Sequence, residues 1–158
     1  MKLYFVRHGL AGHSSQWPGD DANRPLTKKG KKRMEEEAVT LDKLGLKSDL
    51  ILTSPLLRAC QTAEIVAGQL KKAKVVEDER LAPGFNIDKL GEILREHSQA
   101  KALMLVGHEP DFGQTITSLI GGGEILPKKG SLVYVDVPDP AVLKGELVWL
   151  IPPKLLAP

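Results

Sequence analysis

The stretch that most constrains the fold is Lys2-Leu3-Tyr4-Phe5-Val6, which stops abruptly at Arg7-His8-Gly9. Tyr4, Phe5 and Val6 are aromatic or β-branched and suit a buried strand. Gly9 offers a sharp turn with positive φ at little steric cost. The same pattern returns at Leu103-Met104-Leu105-Val106-Gly107-His108. In an open α/β sheet the carboxyl ends of the strands form the binding crevice. Two such strands bring His8, His108 and Arg7 to one edge.

Between these strands the chain alternates. Leu10 to Pro25 is polar and turn-rich, with Trp17 its one large apolar group, and reads as a long loop. Thr27 caps a helix to about Leu44, stopped by Gly45. Leu50 to Thr53 is a strand. Ser54-Pro55 reads as N-cap and first helical residue of a helix from Leu56 to about Leu70. Val75-Val76 forms a short strand, and Leu81-Ala82-Pro83-Gly84 a turn. Ile87, Leu90, Ile93 and Leu94 lie on one face of a helix over Ile87–Glu96. After the strand Ala102–Val106, Pro110 sits in the first turn of a helix reaching about Ile120, stopped by Gly121-Gly122-Gly123. Ser131–Val137 and Glu146–Ile151 are expected to pair antiparallel, and the tail from Pro152 shows no regular pattern. This alternation predicts an α/β sandwich with a mostly parallel central sheet and an antiparallel C-terminal strand pair. No linker or repeat divides residues 1–158, so a single domain is expected.

Charge narrows the function classes. The 22 basic and 20 acidic side chains leave a net charge of only +2. That gives no electrostatic case for nucleic acid or an anionic membrane as partner. No apolar run is long enough to span a bilayer, and the first one ends at Arg7, too early for a signal-peptide core. The single cysteine, Cys60, excludes an intramolecular disulfide and suits a reducing compartment. A cytoplasmic location is expected.

The predicted topology converges four residues. Arg7 and His8 end the first strand, Arg58 lies in a first helical turn, and His108 precedes another helix N-terminus. Two arginines, two histidines and helix N–H groups suit a doubly charged anion, most simply phosphate. An arginine in a first helical turn opposes the helix dipole, so Arg58 is unfavourable there without an anion nearby. No acidic cluster suits a hard metal, and His8 and His108 lack local zinc-ligand partners, so neither metal nor cofactor is expected. His13 in its polar loop, His97 near a helix end, Cys60 and the lysines Lys71, Lys72 and Lys74 read as packing or solvated groups.

In combination these blocks resemble the histidine phosphatase superfamily, which is phosphoglycerate mutase-like in fold. Within it the chain is similar to the short phosphohistidine phosphatases of SixA type. The resemblance rests on Arg7-His8-Gly9, Arg24-Pro25-Leu26-Thr27 with Gly30, Ser54-Pro55-Leu56-Leu57-Arg58-Ala59 with Gln61-Thr62-Ala63, and Val106-Gly107-His108-Glu109-Pro110. It implies a three-layer α/β/α sandwich, His8 as nucleophile, and Arg7, Arg58 and His108 around the phosphoryl group. It also suggests Arg24 as a further phosphate-binding arginine.

The larger relatives carry an acidic proton donor in an insertion. Here the corresponding stretch, Glu77 to Asp88, is short and has no recognisable donor motif. A phosphorylated imidazole needs less acid assistance to leave than an alkoxide does. The expected substrate is therefore phosphohistidine on a phosphotransfer or phosphocarrier protein, with Trp17 as a candidate wall for that partner. The alternatives are a phosphatase of small phosphorylated molecules on the same fold, and a non-catalytic phosphoprotein-binding module.

Overall fold

In the computed structural model, which describes residues 1–70 and 73–158, the first strand lies inside the sheet, as its composition dictates. β1 (Lys2–Arg7) is buried from Leu3 to Val6. It is followed in chain order by β2 (Leu50–Thr53), β3 (Lys74–Glu77), β4 (Ala102–Gly107), β5 (Leu132–Asp136) and β6 (Glu146–Ile151). The spatial order of the six strands is β3-β2-β4-β1-β5-β6. The first four in that order run parallel; β5 is antiparallel to β1, and β6 to β5. The expected C-terminal antiparallel pair is present.

The helices are α1 (Lys28–Lys43), α2 (Leu57–Gln69), α3 (Ile87–Glu96), α4 (Asp111–Ile120) and the single turn α5 (Pro153–Leu156). Alternate side chains of each strand point to opposite faces, and the two faces have separate cores. On one, Tyr4, Val6, Ile51 and Met104 meet Met34, Ala38 and Leu41 of α1 and Ala59, Ala63 and Val66 of α2. On the other, Leu3, Phe5, Leu103 and Leu105 meet Leu90, Ile93 and Leu94 of α3 and Phe112, Ile116 and Leu119 of α4. Each large apolar side chain so buried contributes roughly 1.5–3 kcal/mol. The result is a three-layer α/β/α sandwich that fixes the ends of β1, β2 and β4 along one edge.

Local readings hold where the local chemistry is self-contained. The Thr27 hydroxyl accepts from Gly30 N at 2.9 Å and caps α1. Elsewhere the tertiary structure overrides the local pattern. Ser54-Pro55 does not open α2: the N-cap is Leu56, and the Ser54 hydroxyl lies between Leu56 N and the His108 ring. Pro110 is the N-cap of α4 rather than part of its first turn. The tail forms α5, whose Leu156 is buried in the α1 face. Gly9 does not adopt a positive φ; glycine fits there because a Cβ would stand 2.7 Å from Met34 Cγ. Lys74 begins β3 and is exposed, whereas Lys71 and Lys72 lie outside the described residues.

Candidate active site

β1 and β4 are paired in register, Arg7 opposite Gly107, and His8 N donates to Gly107 O at 3.1 Å. The two chains therefore leave the sheet side by side, and the His8 and His108 rings follow. β2 ends next to β4, with Ser54 N donating to Val106 O at 3.0 Å. That turn launches α2, and Arg58 is its second residue. Arg7, His8, Arg24, Arg58 and His108 all line one cavity of about 360 Å³. The five residues singled out in the sequence are thus brought together.

His8 is only 6% exposed. Its Nδ1 lies 2.8 Å from the Gly9 carbonyl oxygen. A carbonyl only accepts, so Nδ1 carries the proton and Nε2 keeps its lone pair. Burial pushes the His8 pKa down to about 3, against the Gly9 hydrogen bond and reinforced by the charges around His108, Arg58 and Arg7. Burial, with Arg58 next in weight, lowers His108 to about 4. Both rings are neutral at physiological pH.

The arginines are fixed differently. Arg7 Nη1 donates to Pro127 O at 2.9 Å. Arg58 Nη1 donates to Asp21 O at 2.8 Å and Nη2 to Asp21 Oδ2 at 3.1 Å. Arg24 Nε donates to Asp21 Oδ1 at 2.8 Å, and its Nη1 holds the carbonyls of Ala11 and Gly12 at 3.1 and 3.0 Å. Asp21 thus joins two site arginines and offsets the unfavourable placement of Arg58 at a helix start. Much of Arg24 is spent on clasping the loop that covers the cavity. Arg7 Nε, Arg58 Nε and His108 Nδ1 are buried without a hydrogen-bond partner. Three unsatisfied nitrogens on three cavity residues are costly unless an acceptor-rich group meets them.

Three further residues line or border this cavity: Lys129 and Asp111 carried no distinct signal in the sequence, whereas Glu109, unlike Glu79 and Asp88, is a candidate acid that the structure brings to it. Lys129 lines it, in the loop that Arg7 grips through Pro127 O. Burial and the charges of Arg7, Arg24 and Arg58 depress its pKa. Glu109 also lines the cavity; burial raises its carboxyl pKa, while the Gly113 N–H and Arg7 oppose the shift. Asp111 accepts from Gly84 N at 2.7 Å and so ties the turn after β3 to the rim. From the stretch Glu77 to Asp88 only Pro83 and Gly84 reach the cavity. Asp78 is held by Arg80 instead, and Glu77 faces Cys60.

The histidine phosphatase superfamily (branch 1) model matches residues 3–83, which include His8, Arg24 and Arg58. The chain belongs to the histidine phosphatase superfamily. It is 40% identical over 124 residues to an uncharacterised protein of Picosynechococcus, a match covering 77% of this chain and 74% of that one. Among solved structures it is similar to the protein histidine phosphatase SixA complexed with tungstate, with TM-score 0.85, 25% identity and 99% of each chain covered. It also shares its fold with the alpha-ribazole phosphatase from Shigella flexneri, at TM-score 0.75 and 18% identity over 95% of this chain and 96% of that one. Membership of this superfamily supports phosphatase activity.

Several of the motif residues shared with this superfamily have visible structural roles. Thr62 Oγ1 accepts from Gly9 N at 3.1 Å and donates to Arg58 O at 2.7 Å, locking the His8 turn onto α2. Gln61 Oε1 accepts from Leu26 N at 2.8 Å. A Cβ on Gly30 would lie 2.1 Å from Leu10 O, so glycine permits α1 to approach the active-site loop. Trp17 donates to Asp20 O at 2.9 Å and borders a neighbouring groove with His13 and Arg24, not the His8 cavity. His13 reaches the cavity rim, whereas His97 stands beside Glu96 away from it. Burial, with the Glu77 charge next, pushes the Cys60 thiol up to about 11, so little of it is thiolate at neutral pH.

Proposed function

We propose that this protein hydrolyses phosphohistidine on a partner protein through a phosphorylated His8. The reading rests above all on the His8 hydrogen bond to Gly9 O, which leaves a neutral ring with Nε2 unprotonated in a cation-lined cavity. In the first step Nε2 attacks phosphorus in line, and the P–N bond to the substrate imidazole breaks. The departing ring leaves as neutral imidazole, keeping the proton on its other nitrogen. In the second step water attacks the phosphoryl group on His8; inorganic phosphate leaves, and Nε2 regains its lone pair.

Arg7, Arg58 and His108 donate to the phosphoryl oxygens, and Arg24 acts mainly by holding the loop and Asp21. Preorganised donors of this kind are typically worth about 10²–10³ each in rate. The stretch Glu77 to Asp88 brings no carboxylate to the cavity, which favours a leaving group that needs little protonation. The short β3–α3 connection, with only Pro83 and Gly84 at the cavity, leaves room for a residue presented on a protein surface.

One observation favours a second reading. Glu109 lines the cavity with a carboxyl whose pKa is raised. A protonated carboxyl there would serve the alkoxide of a small phosphomonoester. A turnover panel separates the two. Phosphohistidine on a phosphocarrier protein should exceed an aryl phosphate in kcat/KM, and the aryl phosphate should exceed a sugar phosphate. A sugar phosphate that equals or beats phosphohistidine would overturn the protein-substrate reading and point to Glu109 as acid.

A further inference from the structure

We propose that Ser54 is a positioning residue that holds His108 as the tautomer protonated on Nδ1, aiming a single neutral donor at the phosphoryl site. The inference rests on the reading of the cavity as a phosphoryl site, but its first test does not require turnover.

Ser54 is fully buried between β2 and α2. Its Oγ has two neighbours within hydrogen-bonding reach, Leu56 N at 3.3 Å and His108 Nε2 at 2.7 Å. The Leu56 N–H can only donate, so it takes a lone pair of the hydroxyl. The hydroxyl proton then needs an acceptor, and the unprotonated Nε2 of His108 is the one in place. With Nε2 accepting, a neutral ring must carry its proton on Nδ1. That nitrogen is buried and has no partner in the protein. The opposite tautomer would leave the buried Ser54 proton unsatisfied and turn Nδ1 into an acceptor, which repels phosphoryl oxygens. The ring faces His8, with centroids 5.2 Å apart. Ser54 is thus bound to the catalytic arrangement through His108, without touching the reacting atoms. The same hydroxyl would have served as a helix cap; the fold uses Leu56 as N-cap instead, with no side-chain cap bond.

The direct test is 15N NMR of the histidine rings in the full-length protein at neutral pH, with His8→Ala and His108→Ala used for assignment. Wild-type His108 should show a protonated Nδ1 and a bare Nε2. Ser54→Ala should shift the ring toward the Nε2–H form. It should also weaken tungstate binding and lower kcat/KM for phosphoramidate by about 10²-fold, chiefly in kcat, as expected when a transition-state donor is lost. Ser54→Thr, which restores the hydroxyl, should recover the Nδ1–H signature and most of both losses. A wild-type ring protonated on Nε2 would overturn the proposal, whether or not Ser54→Ala folds. So would a Ser54→Ala protein that keeps the Nδ1–H tautomer, or one that loses it and binds tungstate as tightly as wild type. Absence of phosphoramidate turnover in wild type would count against the phosphatase reading, and the tautomer and tungstate measurements would still decide the role of Ser54.

Discussion

The His8 and His108 rings stand with centroids 5.2 Å apart and planes inclined at 56°. Both rings are buried, and both feel the charges of Arg7 and Arg58. A proton on either ring therefore faces desolvation and two fixed cations before it meets its neighbour. Neutrality at both positions is built into the site and suits one to attack phosphorus and the other to donate without adding charge.

This neutrality has a stability consequence. The folded pKa values, about 3 and about 4, lie below the ordinary 6.5. Between 6.5 and about 4 the unfolded chain binds protons that the folded chain refuses, so stability is lost as pH falls through that window. Each histidine can contribute a slope of up to about 1.4 kcal/mol per pH unit. Urea unfolding in phosphate-free buffer should show a shallower pH dependence for His8→Asn than for wild type. Equal slopes between pH 4.5 and 6.5 would contradict the depressed His8 pKa.

Glu37 carries the opposite sign. It is 1% exposed, and its Oε2 lies beneath Gly130, 2.7 Å from where a Cβ would stand. Arg33 Nε is 3.4 Å from Glu37 Oε1 but does not form a hydrogen bond with it. Burial therefore outweighs the Arg33 charge and raises Glu37 to about 8. Its folded pKa is above the unfolded 4.5, so the protonated group's contribution is complete below 4.5 and is lost as pH rises through 8. Glu37→Gln keeps the shape and removes the titration. Its stability relative to wild type should improve by more than about 1 kcal/mol between pH 5 and pH 8, measured by urea unfolding. A constant difference would refute the assignment.

Much of this was legible in the sequence because it is local. Apolar runs that stop at Arg7-His8 and at His108 can only be strands ending in chemistry, and parallel pairing puts those ends together. Thr27 and the periodicity of Ile87–Glu96 need no tertiary partner to be read. Ser54 misled because a hydroxyl before a helix has two uses, and only the fold places His108 against it. Asp21 and Lys129 were silent for the same reason. Asp21 meets Arg58 only after the loop folds back by 37 residues of separation, and Lys129 enters because Arg7 binds Pro127 across 120. The helical turn at the tail depends on a groove beside α1, where Thr40 Oγ1 donates to Leu156 O at 2.6 Å.

Lys129 should matter for binding. It faces three arginines and makes no ion pair or side-chain hydrogen bond among the described residues, an arrangement that favours an anion between them. Lys129→Met should raise KM and the tungstate dissociation constant by roughly tenfold with kcat little changed, as for uniform binding. Lys129→Arg should retain most of the affinity. Unchanged tungstate affinity in Lys129→Met would remove this residue from the site.

Charge neutralisation by arginine predicts a response to chelators. Turnover should persist in EDTA, and tungstate or vanadate should compete with substrate for the cavity. Loss of activity in EDTA that a divalent ion restores would contradict a site whose charge neutralisation comes from its own side chains.

The central claim is a phosphoryl group carried by His8 Nε2. Rapid acid-free quenching during turnover of 32P-labelled phosphohistidine protein, followed by peptide mapping, tests it directly. The account predicts an acid-labile, base-stable label on the peptide containing His8, bonded through Nε2 and absent from a folded His8→Ala protein that also fails to turn over. Label on another residue, or turnover by His8→Ala at the wild-type rate, would contradict it.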